Sequence, residues 1–217
     1  MLKVTTAKAD GRVVRGDQTR RAILERAAAI ASVEGLEGLS IGRLAGELDS
    51  SKSGVFAHFG SKEELQLATV RWAREVFVAE VITPALRAPA GLRRLWRLCE
   101  AWLEYASRPV FPGGCFFASV AVEFDARPGR VRDAIAEAHR DWQRYLEEAV
   151  VRARELGELT ADADPRQLAF ELDAFTRATQ DALLFEERSV YTRARRAMLH
   201  RLRALATDPG LLPKSPR

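Results

Sequence analysis

The stretch from Leu39 to Leu65, LSIGRLAGELDSSKSGVFAHFGSKEEL, limits the chain more than any other. It reads as two short helices, a tight turn between them, and the start of a third helix. Ser40 is placed to cap the first, leaving Ile41, Leu44, Ala45 and Leu48 on one face at helical spacing. Asp49, Ser50 and Ser51 are turn and capping residues. The second helix, about Lys52 to His58, has Val55, Phe56 and Phe59 as its apolar face. Its other face offers Ser51, Lys52, Ser53 and Gly54, small donors and a lysine that allow close approach to nucleic acid. The N-terminal residues of a recognition helix are those that reach base edges. Ser61 and Glu64 have capping-box spacing, and Lys62 lies in the first turn, where free backbone N–H groups favour a phosphate.

Periodicity alone also fits a helical hairpin inside an ordinary all-α core. The run Ser51-Lys52-x-x-Val55-Phe56-x-His58-Phe59-x-Ser61-Lys62-Glu63-Glu64-Leu65 goes further. It resembles the DNA-binding signature of the TetR family of transcriptional regulators. The segment Ala28-x-x-x-x-Val33-Glu34-Gly35-Leu36-x-x-Leu39-Ser40-Ile41 is similar to the family's preceding helix and loop. The motif covers about residues 19–65, and the remainder matches the family in helical layout and length. This chain departs from the pattern at Phe56, where Tyr is usual, at Ala57, where a larger polar residue is frequent, and at Gly54. A mid-helix glycine costs about 1 kcal/mol against Ala, and it removes a side-chain reader while opening a path for the backbone.

The resemblance implies DNA contacts from Arg20, Ser40, Ser51, Lys52, Ser53, Gly54, Val55, Phe56, His58 and Lys62, with Lys62 and His58 on phosphates. It also implies a homodimer on a palindromic double-stranded operator, released by a small hydrophobic or aromatic effector. Two alternatives stay open: a ligand-responsive activator, and an all-helical ligand-binding or scaffolding protein that does not bind DNA.

Among 217 residues, 47% are hydrophobic and 29% charged, as expected of a soluble globular protein. The net charge is only +4, so its location matters more than its total. Lys3, Lys8, Arg12, Arg15, Arg20 and Arg21 outnumber Asp10 and Asp17 at the front of the chain. No apolar run reaches the roughly 18 residues of a membrane span, and the first residues lack a signal peptide's apolar core. The expected location is cytoplasmic. Cys99 and Cys115 read as two free thiols, neither a disulfide framework nor a zinc site. The three histidines His58, His139 and His200 share no metal-binding spacing, and no nucleotide-binding glycine motif or nucleophile elbow occurs. The expectation is no enzyme, no cofactor and no metal.

The fold class expected is all-α with about nine helices. Residues 1–16 read as a flexible basic arm, 17–62 as the helix-turn-helix domain, 63–207 as a helical effector and dimerisation domain, and 208–217 as a disordered tail. Asp17 is placed to cap the first helix at Gln18, which sets Arg20 and Arg21 near a helix start, unfavourable for cations. The inner stripe of that helix is Ile23, Ala27, Ile30 and Ala31. Pro84 should stop the helix opened at Lys62 near Ile82. Asp164-Pro165 is a clear helix start.

The second half is rich in aromatic residues. The candidate effector residues are Trp72, Trp96, Cys99, Trp102, Tyr105, Phe117, Phe124, His139 and Trp142, with Arg140 as a further polar contact and Phe77 facing the same space. Two final helices, about 165–185 and 190–206, carry apolar stripes able to pair as a four-helix bundle. Their candidate dimer residues are Leu168, Leu172, Phe175, Thr179, Leu183, Ala194, Met198 and Leu202.

Overall fold

The computed structural model describes residues 11–108, 110–182 and 185–215. Among them the chain is helical, with one isolated antiparallel bridge between Leu159 and Ala206. The helices are α1 (Gly11–Glu34), α2 (Ile41–Glu47), α3 (Lys52–Phe59), α4 (Lys62–Phe77), α5 (Leu92–Ser107), α6 (Phe116–Phe124), α7 (Arg130–Glu155), α8 (Pro165–Arg177) and α9 (Ser189–Leu205).

Three expectations are corrected. α1 starts at Gly11, so Asp17 is no cap and residues 11–16 belong to the helix, while the first ten lie outside the described residues. Arg20 and Arg21 therefore stand well inside α1, and the conflict with the helix dipole disappears. α4 does not stop near Ile82. It passes through a π-helical turn, Val78–Ile82, into a last turn, Thr83–Ala85. Pro84 offers no N–H and its ring crowds the carbonyl four residues back. The widened turn, with Thr83 N–H donating to Val78 O, makes room for it. Finally, residues 208–215, expected as a disordered tail, hold local structure anchored at Leu212. Pro209–Leu211 form a 3-10 turn, Leu212 is buried, and Arg203 donates to Pro213 O at 2.8 Å.

α1, α2, α3 and the loop after α1 contribute Ile23, Ala27, Ile30, Ala31, Leu36, Leu39, Leu44, Val55 and Phe59 to a core that continues into the later helices. Ser40, Ser51 and Ser61 cap α2, α3 and α4, each hydroxyl accepting the N–H three residues on. α4 carries six consecutive buried residues, Leu65 to Val70, because α1 and α7 cover different sides of it. Gly91 supplies no side-chain cap to α5. Glu158 does so from 66 residues away, its carboxylate accepting Leu92 N–H at 2.6 Å. Asp164 caps α8 through Gln167 N–H at 2.9 Å.

Candidate functional site

α3 is eight residues long and buries only Val55 and Phe59. Lys52, Ser53, Gly54, Phe56 and Ala57 face outward, and His58 is half-buried. Two expectations change here. Val55 is core, 1% exposed, so its side chain is not available to a partner. Phe56 is not part of the apolar face: it is 53% exposed, because the inward stripe runs through 55 and 59, four residues apart. Ser51 holds Gly54 N–H at 3.0 Å and lies 3.1 Å from the Ser53 hydroxyl. The stem of Lys52 lies over Gly42 of α2, where a Cβ would stand 3.1 Å from Lys52 Cε. At Gly54 the nearest atom to an added Cβ is Ser51 Oγ, and φ is not in the left-handed region. That contact would be 3.1 Å, so the capping hydroxyl of Ser51 would have to give slightly to any larger residue there.

Lys62 and Arg20, two of the basic residues expected at DNA, have partners in this structure. Lys62 Nζ donates to Glu37 O at 2.8 Å and to Glu37 Oε2 at 2.9 Å. That pair, with help from Gln66, holds the Glu37 carboxyl below its usual range. Both side chains are more than 40% exposed, so the pair is weak and open to competition. Arg20 donates to His58 O at 2.6 Å and lies 4.5 Å from the Phe59 ring centroid, fastening the end of α3 to α1. Of the capping box at α4, the Ser61 half forms. Glu64 instead takes Arg130 of α7 at 2.7 Å.

Behind the reading unit lies a cavity of about 830 Å³ between α4, α5, α6, α7 and α8. Trp102, Phe117, Phe124, His139 and Trp142 line it, as expected from sequence. Phe77 also lines it, edge-on to Trp142 at 5.1 Å and to Tyr105 at 5.6 Å. Four of the expected residues do not line it. Trp72 sits under Arg21 at 5.2 Å, and Trp96, Cys99 and Tyr105 are buried in the core. Arg140 is exposed and lies outside the lining. Burial pushes the Cys99 thiol up to about 12 and raises Cys115 as well, which opposes thiolate chemistry at both.

Sequence reasoning missed the polar end of this cavity. Asp173, 7% exposed, accepts from Trp142 Nε1 at 3.0 Å and from Arg177 Nε at 2.8 Å. Arg177 Nη2 lies 2.8 Å from His139 Nε2. A signal was present: Asp173 stands on the inward stripe of α8 with Ala169, Leu172 and Thr176, a carboxylate where the pattern wants an apolar group.

That same stripe corrects the proposed interface. Leu168, Leu172, Thr179, Ala194, Met198 and Leu202 are buried within the chain, and Phe175 packs partly on the core. Leu183 lies outside the described residues. α8 ends at Arg177, with a 3-10 turn at Gln180–Ala182, short of the expected 185. The outward face of α8 and its exit carries Phe170, Ala174, Ala178 and Phe185, with His200 and Ala204 exposed on α9.

Besides α4, α6 touches both regions. α6 lines the cavity with Phe117, Ala118, Ala121 and Phe124. Its Glu123 accepts Leu36 N–H at 2.7 Å and Glu37 N–H at 2.8 Å, gripping the loop after α1. Gly35, with φ 77°, ends α1 there, and a Cβ on it would fall 2.4 Å from Glu123 Oε2. Next to it, a Cβ on Gly113 would overlap Ser32 O, so that loop also lies directly on α1.

A three-helix unit that presents the short exposed helix α3 is thus joined through α4 and α6 to an all-helical chamber. The family described as "Bacterial regulatory proteins, tetR family" matches residues 23–69, and "Tetracyclin repressor-like, C-terminal domain" matches residues 91–198. The chain belongs to the TetR family of bacterial transcriptional regulators. It is 30% identical over 138 residues to the transcriptional regulator AcuR of Cereibacter sphaeroides, and spans about 60% of the length of that curated relative and 61% of its own. Among solved structures it resembles a TetR transcriptional regulator from Chloroflexus aurantiacus. There the TM-score is 0.82 at 23% identity, covering 89% of this chain and 98% of that one. It also resembles AibR in complex with isovaleryl coenzyme A and operator DNA, with TM-score 0.66 and 22% identity over 86% of this chain and 97% of that one.

Proposed function

We infer that this regulator binds a palindromic operator as a homodimer and that a small, largely apolar effector in the cavity lowers its operator affinity. The observation that carries the reading is α3. Its first turn is exposed, small and backbone-accessible, with Lys52 beside it and Phe56 outward. A turn of that shape suits a major groove, where N-terminal residues of the reader meet base edges. Lys62, His58 and the capped start of α4 flank it. Phosphate binding by Lys62 then means exchanging Glu37 for DNA.

The exposed face of α8 and α9, with Phe170, Ala174, Ala178 and Ala204, fits pairing with a second copy as a four-helix bundle. Two readers would then meet half-sites roughly 34–36 Å apart, or multiples of that. Two connections are placed to carry an effector's influence. α4 runs from Lys62 to the cavity wall at Arg74 and Phe77, and α6 presses on the cavity with one face while Glu123 holds the reader loop. That AibR has been solved with both a ligand and operator DNA supports the reading by analogy of fold.

The test is to select duplexes from a random pool and titrate the winner by anisotropy at rising salt. Binding should weaken steeply as counterions are released, and random duplex should bind more weakly. A chain with no salt-dependent DNA binding would be the helical ligand-binding protein instead. Tighter operator binding with effector present would reverse the sign and make it an activator.

A further inference from the structure

The walls of the cavity say what charge its occupant carries. Phe77, Trp102, Phe117, Phe124, Ile135 and Trp142 supply an apolar lining, and about 830 Å³ is within the range that holds drug-sized ligands. The acidic groups on the walls are Asp125, Asp141, Glu148 and Asp173. Asp125 and Glu148 are exposed to solvent. The two that are not exposed are already taken. Asp173 has one oxygen on the Trp142 indole N–H and the other on Arg177, while Asp141 takes both Arg74 and Arg144. An entering cation would only replace a guanidinium that already neutralises its carboxylate, so these two acids offer it no net gain.

The donors on the walls point the other way. A guanidinium has five N–H donors and no acceptor. Arg177 spends Nε on Asp173 and places Nη2 against His139, a ring that must offer it a lone pair. Its side chain is still 56% exposed. Burial holds the His139 pKa below the ordinary histidine value, Arg177 pushes in the same direction and Asp173 opposes, so the ring is neutral beside the cation. A cation facing a neutral ring, with its one carboxylate shared with an indole, has acceptor demand left over. Planar guanidinium donors match a carboxylate in geometry as well as charge.

We propose that the effector is a monocarboxylate with an apolar body, its carboxylate bridging Arg177 and His139 and its body lying against the aromatic walls. This rests on reading the cavity as an effector site. The arrangement recognises a single negative charge at one end and excludes cationic amphipaths.

Titration calorimetry on the full chain without DNA tests it, with three probes of one length: octanoate, octanamide and octyltrimethylammonium. Octanoate should bind at least about tenfold tighter than the other two, since charge-assisted bonds exceed neutral ones. Arg177→Gln should bring octanoate down to the level of octanamide, and His139→Gln should weaken octanoate while leaving octanamide unchanged. The melting curve reports folding, and should Arg177→Gln fail to fold, His139→Gln carries the test. Equal binding of octanoate and octanamide, tighter binding of the ammonium probe, no octanoate binding, or a preference that survives in the folded variants overturns the proposal. Because no DNA is present, a failure of DNA binding does not affect this result. Octanoate affinity that is unchanged by saturating operator would keep the carboxylate site but overturn its occupant's role as effector.

Discussion

α3 and α4 follow one another in the chain yet are held in place in opposite ways. α3 keeps two side chains inside, Val55 and Phe59, and turns most of the rest to solvent. α4 buries Leu65 to Val70 without a break and is walled on more than one side. The reader is thus a surface held by a few anchors, with Arg20 tying down its end. The chamber is a packed shell in which Asp173, Trp142 and Arg177 are joined by hydrogen bonds before a ligand arrives. A reader with few anchors can expose backbone and small side chains to DNA. A chamber with many can hold Asp173 at 7% exposure without unfolding, because Trp142 and Arg177 satisfy it.

The contrast is broken most severely at Phe59. Phe59→Ala should cost about 3–5 kcal/mol in denaturant unfolding and abolish DNA binding. Phe56→Ala, three residues away, should change stability by no more than about 0.5 kcal/mol while still weakening operator binding. Comparable destabilisation by both would mean that α3 is anchored on two faces.

Glu123 is next. Glu123→Ala leaves the Leu36 and Glu37 N–H groups without their carboxylate, which should cost about 1–3 kcal/mol. It should also reduce the factor by which an effector weakens operator binding, measured by titrating ligand with and without DNA. Stability lost with the coupling intact would assign the transmission to α4 alone. At the outward face of α8, Phe170→Glu should yield monomers in sedimentation with the melting curve preserved. Phe175→Glu should instead lower the melting temperature, because that ring packs on the core. A dimeric Phe170→Glu protein would move the interface elsewhere.

Smaller effects sharpen the phosphate contacts and the pH response. Lys62→Ala should weaken specific and random DNA about equally and lower the salt slope by about one. Glu37→Gln, which frees Lys62 from its partner, should do the reverse. The His139 pKa is lowered in the folded chain, so on acidification the unfolded chain takes up that proton first. His139 therefore subtracts stability as pH falls below its ordinary value near 6.5. His139→Gln should flatten that part of the stability profile, and an unchanged profile would place the acid sensitivity in other groups.

Read residue by residue, the chain itself determined the local events. Ser40, Ser51 and Ser61 before short apolar stripes set the three caps, Asp164-Pro165 set the start of α8, and the run from Ser51 to Leu65 pointed to the family. Caps and stripes are interactions within a few residues, and spacing reveals them. What lay beyond spacing was decided by packing. Which apolar faces turn inward depended on neighbours distant in sequence, so Leu168, Leu172, Met198 and Leu202 became core while Phe170 stayed outside. Pro84 was absorbed because a π turn could form upstream of it. Glu123 found its donors 87 and 86 residues away, and Asp173, Arg177, His139 and Trp142 met only when α7 and α8 packed together. A carboxylate in a helix pattern is solvated or paired according to what lies opposite, and only the tertiary structure supplies that.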